Sequence, residues 1–149
     1  MNSEVFYFFE PVTLKGSNMA ISKEAKSLGM SWEKEYGYSQ AVKVEDTIYV
    51  SGQVSHDDKG NIVGLQKTEL QMRQAYANIE KVLAQYGATI DSIVDEILFV
   101  TDMDAAFAAR VKCRQEVFSG NPVLASTIVH VQRLAFPDLM VEIGCICKL

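Results

Sequence analysis

Hydrophobic positions along the chain follow a period of two in some segments and of three to four in others. The apolar, β-branched runs at 38–44 and 46–54 meet at Glu45-Asp46, which predicts a β-hairpin. Between residues 65 and 86 the apolar positions recur at helical spacing, and Gly87 follows as a stop signal. The apolar positions of this amphipathic helix are Met72, Ala75, Ile79, Val82, Leu83 and Tyr86.

The second half of the chain continues with alternating elements. The run VDEILFVTD at 94–102 predicts a mostly buried strand, and Asp102 or Asp104 can cap a second helix. Two closing strands are predicted in STIVHVQRL and LMVEIGCICKL. The order β-β-α-β-α-β-β predicts an α+β fold, one mixed β-sheet with two helices packed on one face. The apolar face of the second helix is expected to carry Ala106, Phe107, Val111 and Phe118.

The first 35 residues change pattern several times. Residues 1–35 are therefore taken as an N-terminal extension of uncertain structure, and 36–149 as a single domain. The apolar segment VFYFF predicts an extra strand, and SKEAKSLG a short helix ended by Gly29. Trp32 either covers a cleft as an aromatic lid or pins this segment to the surface.

The two faces of the last strand differ in polarity. Leu139, Val141, Ile143, Cys145 and Cys147 alternate on one face, which we assign to the helices. The opposite face holds Glu142 among apolar neighbours and is too apolar for free solvent. We expect this face to pack against other subunits.

Composition and charge narrow the functional classes. The 149 residues, 48% of them hydrophobic, fit one folded domain. With 14 basic and 19 acidic residues the net charge is −5, which disfavours a sequence-independent nucleic-acid binder. No apolar run has the ~18 residues of a membrane span, and no signal peptide is evident, so a cytoplasmic protein is expected. The three cysteines match neither a disulfide framework nor a zinc site, and HDDKG is typical of a turn rather than of a metal site.

Six blocks occur in an order that resembles the Rid family, also called YjgF or RidA-like. They are YSQAV, TIYVSGQV, the turn with Gly60, LAQYGA, IVDEILFVTD and LMVEIGCI. The resemblance implies a chorismate-mutase-like subunit that forms a homotrimer, with clefts between subunits that bind a small metabolite. It also implies hydrolysis of reactive enamines and imines, such as 2-aminoacrylate, to a keto acid and ammonia without a cofactor.

The resemblance also implies site residues. Glu142 matches the glutamate that orients water, and Tyr38 matches the cleft tyrosine. The family arginine that grips the substrate carboxylate falls on Ser126, so this chain resembles a branch that lacks it. The predicted cleft is lined by Tyr38, Ser51, Gln53, Ser126, Thr127 and Glu142. Arg133 cannot replace the arginine, because it lies about 23 Å further along the strand and on the other face.

Several alternatives stay open from the sequence. Glu142 either activates water, since burial raises the pKa of a carboxyl, or pairs with a neighbouring chain. His130 is an interface residue or a pH-sensitive one. At the level of function, the alternative to an imine or enamine hydrolase is a non-catalytic ligand-binding or regulatory trimer, and an endoribonuclease is disfavoured by the acidic charge.

Overall fold

The computed structural model describes residues 20–149. Three α-helices are present there, α1 at Ser31–Tyr36, α2 at Thr68–Ala84 and α3 at Met103–Val117, and a 3₁₀ turn covers Ile90–Ser92. The strands are β1 at Glu24–Lys26, β2 at Ala41–Val44, β3 at Thr47–Val54, β4 at Ile93–Val100, β5 at Ala125–His130 and β6 at Val141–Lys148. The predicted VFYFF strand lies outside the described residues.

The six strands form one mixed sheet in the order β1-β2-β3-β6-β4-β5. Strands β4 and β5 are parallel, and every other neighbouring pair is antiparallel. A parallel pair needs a crossover connection, which here is α3. The α+β prediction and the order of the elements from β2 to β6 are therefore confirmed.

Helix α2 covers the centre of the sheet as its periodicity predicts. Met72, Ala75, Ile79, Val82 and Leu83 are all buried in the core. On β6 the predicted inward residues from Val141 to Cys147 are buried as well. Two polar residues of α2 that the pattern places on the solvent side, Gln71 and Asn78, are also buried, and both hold loops described below.

The predicted apolar face of α3 is confirmed at Ala106 and Phe118, which are buried, and is wrong at the other two positions. The helix buries Ala106, Ala109 and Cys113, whereas Phe107 is 51% and Val111 is 63% exposed. Small side chains at these spacings let the helix lie close to the sheet. This rotation also directs two arginines of α3 toward β4 and β5.

The segment from Ser22 to Gly29 forms strand β1 instead of the predicted helix. Residues Glu24–Lys26 pair antiparallel with Lys43 to Ala41 of β2. An isolated helix of two turns is marginal in water, whereas pairing with an edge strand satisfies the same backbone groups. Gly29 does end this segment with a positive φ of 78°.

Candidate active site

A β-bulge in β3 decides which of its side chains reach the open face of the sheet. Val50 pairs with Cys145 and Gln53 with Ile143, so β3 has one more residue than β6 between these pairs. Ser51 and Gly52 stay on the open face, whereas Gln53 lies on the covered face beside Ile143. Gln53 is buried and donates a 2.6 Å hydrogen bond to Oε1 of Gln40.

A cavity of about 770 Å³ opens on the uncovered side of the sheet above this bulge. Its floor is formed by Ser51, Gly52 and Val54 of β3 and by Glu142 of β6. One wall comes from the N-terminal segment and the turn after β3, and the other from the loop between β5 and β6. These walls contribute Trp32, Tyr36, Tyr38, Ser55, His56, Gly60, Ile62, Ala135, Phe136, Pro137, Asp138 and Leu139.

Glu142 places a carboxylate at the floor of the cavity. Burial raises the pKa of this carboxyl, and no described residue offsets the effect with a hydrogen bond or a positive charge. Glu142 is half-buried and packs on Gly52, where a Cβ would lie 2.7 Å from its Cδ and 2.8 Å from its Cγ. A carboxyl with a raised pKa can accept a proton and return it near neutral pH.

The N-terminal wall depends on the buried Glu33 of α1. Its Oε1 accepts hydrogen bonds from the backbone amides of Leu28 and Met30 and from Nε2 of Gln40, and Oε2 accepts one from Ser27. Burial alone would raise the pKa of Glu33, but these hydrogen bonds hold it below the usual range. The network ties α1 to the strands, and so fixes the residues of α1 that line the cavity.

Trp32 is packed between a histidine and a glycine of the turn after β3. Its ring meets His56 edge-on, with centroids 5.1 Å apart and an interplanar angle of 84°. A Cβ on Gly60 would lie 2.9 Å from the indole, so only glycine leaves room for it. The backbone oxygen of His56 accepts hydrogen bonds from Gln74 and Asn78 of α2. Trp32 therefore belongs to the cavity wall, and HDDKG forms the predicted turn.

Tyr38 lies beside Trp32 at the edge of the cavity. Burial raises the pKa of its phenol, and the charges of Glu33 and Glu142 raise it further. The hydroxyl thus stays protonated at neutral pH and is available as a hydrogen-bond donor to a ligand.

The opposite wall is held in place by Gln71 of α2. Its Nε2 donates to the backbone oxygen of Asp138 at 2.8 Å, and its Oε1 accepts from the amide of Met140 at 2.8 Å. A buried glutamine with both ends bonded fixes the loop that carries Phe136 and Asp138. Neither Gln71 nor this loop was predicted to form part of the site, because the periodicity of α2 places Gln71 on the solvent side.

Ser126 and Thr127 lie away from this cavity. Ser126 faces the helices, where its Oγ donates to Glu96 at 2.6 Å and accepts from Arg110 at 2.6 Å. Thr127 is exposed on the open face of β5, beside Ile97 of β4. Of the six residues predicted for the cleft, the structure thus brings together Tyr38, Ser51 and Glu142 and places Gln53, Ser126 and Thr127 elsewhere.

Comparison with known proteins agrees with this fold. Residues 31–149 match the family model described as Endoribonuclease L-PSP. A RutC family protein of Sulfurisphaera tokodaii is 34% identical over 111 residues, which are 74% of this chain and 86% of that protein. The RutC family protein YjgH of Escherichia coli is 33% identical over 109 residues, 73% of this chain and 82% of its own length.

Solved structures of the same class superpose on the chain. The crystal structure of YyfA from Yersinia pestis, a member of the conserved Rid protein family, has a TM-score of 0.74 at 28% identity, and the match covers 86% of this chain and 100% of that one. An α+β fold with a cavity on the open face of its sheet is thus the class that fold and site define. The chain belongs to the Rid (YjgF) family, as its motifs predict. No helix among residues 20–149 is long and apolar enough to cross a membrane.

Proposed function

We propose that the protein is a cofactor-independent hydrolase of imines or enamines, in which Glu142 activates water. The observation that carries this proposal is a half-buried carboxyl at the floor of the cavity, with a raised pKa and without a hydrogen-bond partner among the described residues. A carboxylate in such a place is free to bind a water molecule. Membership of the Rid family adds support.

The reaction needs one proton acceptor that later returns the proton. The Glu142 carboxylate takes a proton from water while the water oxygen bonds to the carbon of the C=N group, and the electron pair of that double bond moves to nitrogen. Glu142 returns this proton to the nitrogen, which gives a neutral carbinolamine. The Glu142 carboxylate then takes the hydroxyl proton as C=O forms, and it passes that proton to the nitrogen as the C–N bond breaks. Imine and water thus give carbonyl compound and ammonia. Tyr38 and Ser51 line the cavity within reach of such a ligand.

The proposal includes a homotrimer with the cavities at subunit interfaces. On the open face of the sheet Tyr49 is 50%, Ile97 is 38% and Val129 is 37% exposed, and exposed apolar side chains on one sheet face favour an interface. Thr127, on the same face, would then be a cleft residue supplied by a neighbouring subunit. Sedimentation of a particle of three 16.6-kDa chains would support this assembly, and a monomer would refute it.

The cellular setting in this proposal is the cytoplasm. All three cysteines are free and buried, as expected in a reducing compartment. An endoribonuclease, the activity in the description of the family model, is disfavoured because the described lining of the cavity includes two carboxylates, Asp138 and Glu142, which would repel a phosphate.

The test is imine hydrolysis by the protein and two matched variants. An oxidase generates the imine, semicarbazide traps what remains, and slower semicarbazone formation measures hydrolysis. Glu142→Gln should reduce turnover at least about 100-fold, as loss of a general base does. Glu80→Gln makes the same change on the exposed face of α2 and should keep full activity. Equal activity of both variants refutes the role of Glu142, and ligand binding without product would favour a non-catalytic binding or regulatory protein.

A further inference from the structure

The cavity combines aromatic rings with negative charge. Trp32, Tyr36, Tyr38 and Phe136 supply aromatic rings, and Asp138 and Glu142 supply carboxylates. Among the described residues of this chain that line it, none is a lysine or an arginine. Aromatic faces and carboxylates together attract organic cations and repel anions.

Building on the proposed function, we propose that the substrates are imines derived from amines with a bulky aromatic or apolar group, uncharged or protonated at nitrogen, and without a carboxylate. A 2-imino acid or 2-aminoacrylate would bring its own carboxylate next to that of Glu142. A protonated imine brings a positive charge instead, and this charge lies on the C=N group that water attacks. The negative charge of the cavity thus favours the protonated imine, whose positive charge also makes its carbon more reactive toward water.

The size of the cavity favours a bulky substituent. Its 770 Å³ lies in the range of about 300–1,000 Å³ that is typical of sites for drug-sized ligands. A three-carbon imino acid would leave most of the aromatic wall uncovered. A phenyl or branched alkyl group would instead contact Trp32 and Phe136 and remove their apolar surface from water.

The wall that makes this contact is built to keep its shape. Trp32 is fixed against His56 and above Gly60, and α1 is tied down through Glu33. A ring held in place before binding loses little conformational entropy on contact with a ligand. Phe136, in the wall between β5 and β6, is 46% exposed and so leaves apolar surface for a ligand to cover.

Ligand preference is measured first, with unreactive probes. Trp32 is the only tryptophan of the chain, so its fluorescence reports directly on the cavity. We expect 2-phenylethylamine (a cation) or phenylacetamide (uncharged) to bind at least about tenfold more tightly than phenylacetate (an anion). Glu142→Gln should reduce the preference for the cation over the amide, and Glu80→Gln should retain it. Tighter binding of phenylacetate, or no binding of any probe, overturns the inference.

Turnover then separates this inference from the proposed function. A flavin-dependent monoamine oxidase acting on 2-phenylethylamine supplies the imine without a carboxylate, and an amino-acid oxidase acting on phenylalanine supplies the matching 2-imino acid. Faster hydrolysis of the first supports the inference. Faster hydrolysis of the second overturns it and leaves the hydrolase proposal intact. If neither is hydrolysed faster than in buffer but the amine binds, the hydrolase proposal fails and the assignment of ligand class stands.

Discussion

The substitution Tyr76→Phe tests how much a hydrogen bond to the buried carboxylate of Glu96 stabilises the fold. Glu96 of β4 is fully buried, and its Oε2 accepts a 2.9 Å hydrogen bond from the hydroxyl of Tyr76 on α2. Its Oε1 accepts from Arg114 and Ser126. Tyr76→Phe deletes only the first of these donors, because the ring can keep its edge-on contact with Phe118 at 5.9 Å and 79°.

The size of the effect follows from the charge of the acceptor. A hydrogen bond to a charged group contributes about 1.5–3 kcal/mol, and one between neutral groups about 0.5–1.5 kcal/mol. Burial and the neighbouring Glu96 raise the pKa of Tyr76, so its hydroxyl remains a donor across the physiological range. We therefore expect Tyr76→Phe to lower the free energy of unfolding by about 2 kcal/mol, or Tm by about 4–8 °C in a chain of this size.

A second tyrosine provides the matched control. The hydroxyl of Tyr86 donates to the backbone oxygens of Glu24 at 2.8 Å and Ala41 at 3.1 Å, which are neutral acceptors. Tyr86→Phe should thus cost about 1 kcal/mol. Urea and thermal unfolding are compared at one protein concentration, because assembly would add a concentration-dependent term. If Tyr76→Phe is no more destabilising than Tyr86→Phe, the arginine and the serine alone satisfy Glu96 and the reasoning fails.

Three further predictions concern the site. Gly52→Ala should displace the Glu142 carboxylate by about 1 Å and reduce turnover about 100-fold. Gly144→Ala is the control and should change turnover little, because its Cβ would meet only the backbone oxygen of Val50, at 3.8 Å. Equal rates of the two variants contradict the prediction. Because burial raises the pKa of Glu142 above its ordinary value of 4.5, its contribution to stability is present below that value and is lost as the pH rises through the folded pKa. Glu142→Gln should therefore be more stable than the parent at pH 7 by urea unfolding, with a difference that vanishes toward pH 4.5. Ser126→Arg should lower the urea midpoint without creating phenylacetate binding, since a third guanidinium would crowd Glu96; a gain of binding contradicts this.

The layers of the fold were predictable because each follows from one periodicity. The buried face of α2 and the inward side of β6 were read directly from spacings of three to four and of two residues. The face of α3 was predicted only in part, because the interaction of Arg114 with Glu96 turns Phe107 away from the core. The positions of apolar residues carry no information about a buried ion pair such as that of Arg114 with Glu96, which orients α3 toward β4.

The site was predictable only in part for a similar reason. Ser51 and Gln53 are two residues apart, and a regular strand would show both on one face. The bulge at Ser51–Gly52 instead places the two side chains on opposite faces of the sheet. Gln53 therefore hydrogen-bonds to Gln40, which in turn hydrogen-bonds to Glu33. The glycine in S-G-Q was the available signal, since glycine within a strand often marks a bulge or a close approach.

The serine at position 126 acquires a physical explanation from the network beneath it. Arg110 and Arg114 lie one turn apart on α3 and reach the covered side of β4 and β5. A hydroxyl can accept from Arg110 while it donates to Glu96, so Ser126 joins one cation to the carboxylate that holds the other. An arginine there has only donors and would leave three guanidinium groups around one carboxylate. We infer that position 126 is determined by this network rather than by a substrate carboxylate, which agrees with a cavity that favours ligands without one.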